Sequence, residues 1–347
     1  MKDARLCLAI GAAACAVALL LTLAEGKAAL AGWLTGFAFW SGLPIGALGL
    51  LMMMRLIPGR WREELSHPAE GLLVLLPLAA LAVLPILIGL ATLYPWVAEA
   101  NSGYRALYLS PAFFVLRTVV FFACLAALAL LLTVRPAWSA PVSSAGLVVY
   151  VLLTTTIAVD WLMSLDPTFH SSGFGLYVLS DQMTIALAVM LIARLSRDPP
   201  PEQPGLLGGL FLCALLLWAY FAFMQYLIIW SNNLPPSVEW YHKRGEGFWS
   251  AAEYAIAILH LGPTFLLFFS PIRKGVRWLL ALSFVVLVGK AIEMAWLVMP
   301  TAPEHATIGA IAALASMLGL GLLAIVAFGV APTLLGRLES HQARASS

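Results

Sequence analysis

Six formally charged side chains interrupt the long apolar stretches of this sequence, and one histidine joins them. They are Arg117, Asp160, Asp181, Glu253, Lys290 and Glu293, with His260 as the histidine. A charged side chain at the centre of a membrane helix costs about 2.5–3.5 kcal/mol on insertion scales, so such residues usually serve a function. Carboxylates can hold and release protons, and histidine changes protonation near neutral pH. The residue types therefore indicate proton transfer within an apolar layer.

Two pairs of these residues share one face of a helix. Lys290 and Glu293 are i, i+3 neighbours and can neutralise each other. Glu253 and His260 are two turns apart, with the imidazole roughly 16 Å into its stretch at 1.5 Å per residue. A carboxylate near one surface could therefore pass a proton to a deeper imidazole.

These spacings suggest roles, with a structural alternative for several residues. We interpret the three acids without a base on their own helix as proton carriers: Asp160, Asp181 and Glu253. His260 is then a relay near the midplane, and Lys290–Glu293 a gate that tunes the carriers. Alternatively, Lys290–Glu293 and Arg117 with some acid are satisfied pairs that fix helix register.

The composition indicates what holds these residues in place. Of 347 residues, 62% are hydrophobic and 10% charged, whereas soluble domains have roughly 45–50% and 25%. We therefore predict an all-α, polytopic integral membrane protein in contact with lipid. A net charge of +2 is too small to indicate a nucleic-acid partner.

The cysteines and histidines argue against a bound redox centre in this chain. All four cysteines lie in apolar runs without a CxxC or CxxCH pattern, which disfavours disulfides, iron–sulfur ligands and covalent haem. Only His260 lies within a candidate span, so a haem held by two histidines is disfavoured too. No metal-ligand spacing is present.

Ten stretches are long enough to cross a bilayer, which needs about 20 apolar residues. They are 4–23, 32–56, 71–93, 112–133, 145–164, 173–194, 206–230, 249–269, 275–298 and 306–330, within a single transmembrane domain, 1–347. In the second stretch, Gly42, Gly46 and Gly49 surround Pro44. Small residues at this spacing predict close helix–helix packing.

The loops predict the orientation in the membrane. Lysine and arginine concentrate on one side: Lys2, Arg5, Arg55, Arg60, Arg62, Arg135, Arg194, Arg197, Arg273, Lys274, Arg277, Arg337 and Arg344. The other side has Lys27, Arg105, Lys243 and Arg244. The positive-inside rule places both termini in the cytoplasm. All six charged residues then lie in the outer half of the membrane, and we expect one partly hydrated vestibule there.

The outer loops are rich in aromatic residues. Six tryptophans fall near this boundary: Trp96, Trp161, Trp230, Trp240, Trp249 and Trp296. An aromatic belt at the lipid headgroups explains about half of them. The loop 231–248 is the predicted docking surface for partner proteins, with Trp230, Asn232, Asn233, Trp240 and Tyr241 as its contact residues.

Two blocks are more specific than the composition. Asp160-Trp161-Leu162-Met163-Ser164-Leu165-Asp166-Pro167 closes the fifth stretch, and Asp181-Gln182 follows in the sixth. Later come Gln225-Tyr226-Leu227-Ile228-Ile229-Trp230-Ser231-Asn232-Asn233-Leu234-Pro235 and Glu239-Trp240-Tyr241-His242-Lys243-Arg244. These blocks resemble the ActF-like membrane subunits of alternative complex III, within the NrfD/PsrC-like family. The resemblance is firmest over residues 145–300.

The resemblance implies a fold and a setting. Members of this family have two four-helix bundles plus flanking helices. They act in the bacterial cell (inner) membrane with a sister NrfD-like subunit and with periplasmic iron–sulfur and multihaem cytochrome subunits. The implied function is a place in a respiratory complex that oxidises quinol and transfers electrons to cytochrome c. Haem and iron–sulfur clusters would then belong to the partner subunits, and this chain would not be catalytic alone.

Two other functions remain open at this stage. The chain could bind quinone or quinol itself, in a pocket formed by His170, Asp181, Gln225 and Tyr226 at the outer boundary. It could also be an ion-coupled secondary transporter that uses the charged residues as an ion site.

Overall fold

The structure, a computed structural model, describes residues 2–99, 103–134, 139–232 and 235–345. These residues form helices and connecting loops without any β-strand. Ten of the helices are long and apolar enough to cross a membrane. The predicted all-α polytopic membrane fold is therefore confirmed.

The ten helices are labelled in chain order. They are α1 (Lys2–Leu20), α2 (Gly26–Leu56), α3 (Arg60–Ile88), α4 (Pro111–Val134), α5 (Ser139–Trp161), α6 (Phe174–Leu195), α7 (Pro204–Asn232), α8 (Gly247–Leu267), α9 (Val276–Val298) and α10 (Ala306–Ala345). Shorter helices connect them at Leu21–Leu23, Leu90–Leu93, Pro95–Val97, Gly103–Tyr108, Met163–Leu165, Pro235–Gly245, Ser270–Lys274 and Met299–Thr301.

The third helix begins earlier than the apolar pattern predicts, and it is interrupted. It starts at Arg60 rather than at residue 71, because its charged first turns pair with neighbouring helices instead of entering the apolar layer. It consists of Arg60–Leu73, Leu76–Ala82 and Leu84–Ile88. Pro77 and Pro85 each occupy the start of a new segment, since proline cannot donate the hydrogen bond that would continue the preceding turn.

The helices pack as two four-helix bundles with two flanking helices. Helices α2, α3, α4 and α5 contact one another in a ring that we call bundle A, and α6, α7, α8 and α9 form the corresponding bundle B. Helices α2 and α6 join the bundles, and α1 and α10 pack together beside α2. The predicted two-bundle arrangement is therefore present.

Glycines of α2 permit close contact both between the two bundles and within bundle A. A Cβ atom on Gly46 of α2 would lie 2.2 Å from the carbonyl oxygen of Gln182 in α6. A Cβ atom on Gly49 would lie 2.7 Å from the ring of Tyr150 in α5. The close packing predicted from the glycine spacing is confirmed.

The loops gather at two ends of the molecule. At one, the aromatic end, the Tyr94 hydroxyl donates to the Trp161 carbonyl at 2.9 Å and Trp96 Nε1 donates to Ser164 Oγ at 3.2 Å. At the other, the basic end, Arg55 pairs with Glu70 at 2.6 Å. The cytoplasmic location of the basic end remains a prediction from the loop charges.

The tryptophans of the aromatic end mostly pack inside the protein. Trp96, Trp161, Trp240 and Trp296 are buried, whereas the Trp230 side chain is 66% exposed and Trp249 is partly exposed. The aromatic-belt interpretation therefore holds for at most two of the six. The other four are held by hydrogen bonds, ring contacts or both within the loops and helix ends.

Candidate functional site

The charged residues of the spans lie in three separate places, not in one vestibule. Arg117 and Asp160 meet in bundle A. Asp181, Lys290 and Glu293 meet with His260 in bundle B, and this group is called the buried cluster below. Glu253 lies apart at the surface of a cavity. The expectation of one vestibule shared by all six charged residues is wrong, because Arg117 and Asp160 pair with each other in bundle A.

The pair in bundle A is bidentate. Arg117 donates from Nε to Asp160 Oδ2 at 2.6 Å and from Nη2 to Oδ1 at 2.9 Å. The guanidinium lies over the rings of Tyr108 and Phe113, with its central carbon 4.1 Å and 4.5 Å from the ring centroids. Asp160 is fully buried, and both of its oxygens accept from Arg117. This geometry matches the structural alternative for Arg117 and leaves Asp160 poorly suited as a proton carrier.

In the buried cluster, one ammonium group lies between two carboxylates. Lys290 Nζ is 2.6 Å from Asp181 Oδ1 and 2.9 Å from Glu293 Oε2. All three side chains are at most 1% exposed. Helix α9 supplies Lys290 and Glu293 from one face at the predicted i, i+3 spacing, and α6 supplies Asp181 across the bundle.

The two carboxylates have very different hydrogen-bond environments. Glu293 Oε1 accepts from the Tyr177 hydroxyl and from Trp218 Nε1, the latter at 2.8 Å. Lys290 donates to its other oxygen. Neither oxygen of Asp181 accepts a hydrogen bond of normal geometry, and its contact with Lys290 is an ion pair without that alignment. The charged form is therefore much better stabilised on Glu293 than on Asp181.

His260 is held in one orientation beside the cluster. Its Nδ1 lies 2.7 Å from the Ile256 carbonyl oxygen, which can only accept, so we assign the proton of the neutral ring to Nδ1. Nε2 then faces Glu293 Oε2 at 3.6 Å, and the ring stacks on Trp218 with centroids 4.3 Å apart. The unprotonated nitrogen of the ring therefore points at the cluster.

A cavity of about 500 Å³ reaches the cluster between α7 and α8. We call it the cluster cavity, and Glu293 lines it together with Tyr177, Trp218, Ala219, Ala222, Phe223, Gln225, Tyr226, Tyr241, Glu253, Ile256, Ala257, Leu261 and Trp296. Phe223 and Leu261 are more than half exposed on the outer surface of the bundle. The cavity therefore lies next to the lipid-facing side of α7 and α8.

Half of the predicted quinone pocket lies at this cavity. Gln225 and Tyr226 line it, whereas Asp181 is not among its lining residues and His170 lies elsewhere. His170 is exposed, and its Nδ1 contacts the Thr168 carbonyl at 3.0 Å. The predicted four-residue pocket is therefore wrong for two of its members. Asp181 points towards Lys290, and His170 lies on a loop that lines a different cavity.

A second cavity of about 320 Å³, the mouth cavity, adjoins the first at the aromatic end. Tyr226, Tyr241 and Glu253 line both cavities. Gln225 Nε2 donates to the Tyr241 hydroxyl at 3.2 Å, and the Tyr226 and Tyr241 rings meet edge to face at 5.4 Å. Burial raises the pKa of the Tyr241 phenol to about 12. Because Glu253 lines both cavities, it lies at the junction between the loops and the cluster cavity.

The predicted docking residues divide between surface and interior. Trp230 and Asn232 are exposed, and Asn233 lies outside the described residues. Trp240 is buried and stacks on Phe169 at 4.3 Å, and Tyr241 lines the cavities. The docking prediction is therefore wrong for Trp240, whose ring the helix Pro235–Gly245 turns inward.

Three important side chains were not predicted from the sequence. Tyr177 and Trp218 donate to Glu293 but carry no charge, so the search for charged residues in apolar stretches passes over them. Arg244 is buried and donates to the carbonyl oxygens of Trp240, Trp296 and Leu297. It therefore fixes the helix Pro235–Gly245 to the end of α9. A run of loop residues containing Lys243 and Arg244 gives no sign that one of them is buried.

Among the residues that the structure describes, no group of three or more His, Cys, Asp or Glu side chains is arranged to hold a metal ion. Comparison with models of protein families and with curated proteins finds no match for this sequence.

Proposed function

We propose that this chain is a membrane subunit of a respiratory quinol-oxidising complex and that it provides a proton path through the outer half of the membrane. The observation that carries the proposal is the composition of the buried cluster. Two carboxylates face a single ammonium group, and Nε2 of His260 lies beside them without a hydrogen bond. An uncompensated buried charge costs several kcal/mol, so the cluster favours binding one further proton.

The hydrogen bonds indicate where that proton resides. Glu293 accepts from Tyr177, Trp218 and Lys290, and donors to a carboxylate stabilise its charged form. Asp181 has the ion pair with Lys290 and no hydrogen bond of normal geometry. The bound proton therefore belongs on Asp181 at rest, although the two acids titrate as one coupled unit.

The cavities supply a route from the cluster to the aromatic end. Glu293 contacts both the cluster and the cluster cavity, and Glu253 lies where that cavity meets the mouth cavity. A proton leaving Asp181 would pass by Glu293, with His260 as a neighbouring acceptor, and then by Glu253. In this proposal Lys290 tunes the two acids, and Asp160 takes no part.

The setting of the proposal comes from the resemblance to ActF-like subunits of alternative complex III. In this proposal the chain lies in the bacterial inner membrane, and the loop charges predict that both termini are cytoplasmic. Its partners would be a sister NrfD-like subunit and periplasmic iron–sulfur and multihaem cytochrome subunits, which carry all of the haem and iron–sulfur clusters. The chain would contribute to the reaction of the complex without being catalytic alone. Purification from native membranes tests this setting, since a chain that copurifies without redox subunits would contradict it.

Infrared spectroscopy of the purified full chain tests the proton site. At neutral pH we expect the carbonyl stretch of one buried protonated carboxyl group, shifted in D₂O and absent from Asp181→Asn. Asp160→Asn is the matched control, because Asp160 is an equally buried acid paired one-to-one with a base. A spectrum in which Asp181→Asn keeps the band would contradict the assignment.

A second candidate function is binding of quinol by this chain. The observation in its favour is the cluster cavity, whose volume falls within the range of about 300–1,000 Å³ typical of small-molecule sites. It combines an apolar wall at the lipid side with polar groups from Gln225, Tyr241 and Glu293. Photo-crosslinking with a quinone analogue tests it. Labels within α7 and α8 that Gln225→Leu reduces would support binding, and labels confined to partner subunits would exclude it.

A further inference from the structure

Two buried hydroxyl groups form no hydrogen bond of normal geometry, whereas every other buried serine or threonine in the described residues donates or accepts at least one. They belong to Ser143 and Thr154 of α5, which are at most 1% exposed. A hydroxyl on a membrane helix ordinarily donates to a carbonyl oxygen three or four residues earlier, because lipid offers it no other partner. Thr184 and Ser283 do so in bundle B.

The same helix provides its own comparison. On α5, Ser144 donates to the Pro141 carbonyl at 3.1 Å and Thr155 to the Val151 carbonyl at 2.8 Å. Ser144 is exposed and Thr155 is partly exposed, and both are satisfied, whereas Ser143 and Thr154 are buried and are not. The difference follows burial and not the composition of the helix.

Two further polar atoms without partners lie at the same interface. The Tyr150 hydroxyl interacts with that of Thr154, but neither forms a hydrogen bond of normal length and angle. On α6, which packs against Gly42 and Gly46 of α2 as Tyr150 packs against Gly49, the side-chain oxygen of Gln182 is also buried without a partner. Ser143, Tyr150 and Thr154 are spaced i, i+7 and i+11, so they form one row along the inner face of α5.

The row leads from the basic end to the depth of the buried cluster. Helix α5 begins at the basic end, and Ser143 lies in its second turn. Gly175 of α6 packs against Thr155 of α5, and the two helices are antiparallel. Asp181 lies six residues after Gly175, and Tyr150 lies five residues before Thr155. The two side chains are therefore at the same depth in the membrane to within about one turn.

We propose that Ser143, Tyr150, Thr154 and Gln182 bind a file of ordered water molecules between α2, α5 and α6, leading from the basic end to the depth of Asp181. Buried waters typically make about three hydrogen bonds to polar groups that are otherwise unsatisfied, and this row provides such groups. The inference rests on the proposed function in one respect, since the water file would give protons a second access to the buried cluster, from the basic end. Together, the water file, the cluster cavity and the mouth cavity would form a polar route across the whole membrane.

Hydroxyl-radical footprinting of the full chain in lipid vesicles tests the file directly, because radicals generated from bound water modify adjacent buried side chains. Tyr94 is the matched control: it is as deeply buried as Tyr150, but its hydroxyl donates to the Trp161 carbonyl. We expect Tyr150 to be modified at least about tenfold faster than Tyr94. Equal rates would overturn the inference.

Substitutions separate bound water from general looseness of the interface. Ser143→Ala with Thr154→Val should reduce modification of Tyr150 towards the rate of Tyr94, whereas Ser144→Ala with Thr155→Val should leave it unchanged. A reduction by both pairs would overturn the inference. The result is independent of the proton site: Tyr150 footprinting can fail while the Asp181 carboxyl band is present, or succeed while that band is absent.

Discussion

Each four-helix bundle buries carboxylates against a base from a neighbouring helix, and the two sites differ in balance and in access. In bundle A, one acid meets one base, and both oxygens of Asp160 accept from Arg117. In bundle B, two acids share Lys290, and only Glu293 is fully supplied with donors. Glu293 also lines a cavity, whereas neither member of the bundle A pair lines any cavity described above.

This difference separates a structural ion pair from a site that can exchange protons. A balanced bidentate pair gains nothing by binding a proton, since protonation would leave the arginine charge alone in the interior. An unbalanced cluster must bind or release a proton whenever its surroundings change. The lesson extends to sequence interpretation: the charge of a buried acid says less about its role than the number of bases facing it.

The largest effect is expected in bundle A. Arg117→Met leaves the Asp160 carboxylate buried without an opposite charge, which costs about 3–5 kcal/mol in comparable pairs. The measurement is the free energy of unfolding in detergent. Arg117→Met combined with Asp160→Asn should recover most of the loss, because no charge then remains. An unchanged stability of the single variant would contradict a structural role for this pair.

A smaller loss is expected from the corresponding change in bundle B. Lys290→Met removes the ammonium group from the cluster, but Glu293 keeps the donors Tyr177 and Trp218 and the acids can bind protons. We therefore expect a loss of about 1–3 kcal/mol, typical of unsatisfied buried polar groups. The infrared spectrum should gain a second protonated carboxyl group. A loss equal to that of Arg117→Met, without the new band, would remove the distinction between the bundles.

The fold could be predicted from the sequence, but the partners of the charged residues could not. Ten apolar stretches and the glycines of α2 predict the helices and their close packing, since both follow from local composition. The spacing of Lys290 and Glu293 predicts their pairing for the same reason. The Arg117–Asp160 and Lys290–Asp181 contacts join different helices, and no spacing along one helix encodes them. Interpreting Asp160 as a carrier failed at this step.

The next effect in size is expected on a proton-exchange rate, at Glu253, where the two cavities of bundle B meet. Glu253→Gln should slow exchange of the Asp181 proton with solvent about tenfold, equivalent to about 1.4 kcal/mol in the barrier. Its exposed position predicts little change in stability. The rate is measured as the shift of the carboxyl band after mixing with D₂O. Glu246→Gln is the control, because Glu246 lines the mouth cavity but not the junction. Equal slowing by both variants would contradict a specific role for Glu253.

At neutral pH the smallest effect is expected from Tyr241, because its contribution concerns the alkaline stability of the cavity wall. Burial raises the pKa of Tyr241 to about 12 from an ordinary value of about 10. The folded protein therefore keeps the phenol protonated after the unfolded chain has lost its proton. The resulting stabilisation is complete below about pH 10 and is lost as the pH rises towards 12.

Tyr241→Phe should lose stability less steeply than the original protein over this interval. Tyr226→Phe, whose ring is 46% exposed, should match the original slope. Identical slopes for all three proteins would show that Tyr241 ionises freely. The helix Pro235–Gly245 would then be held against bundle B less firmly than the hydrogen bonds of Tyr241 with Gln225 and of Arg244 with α9 imply.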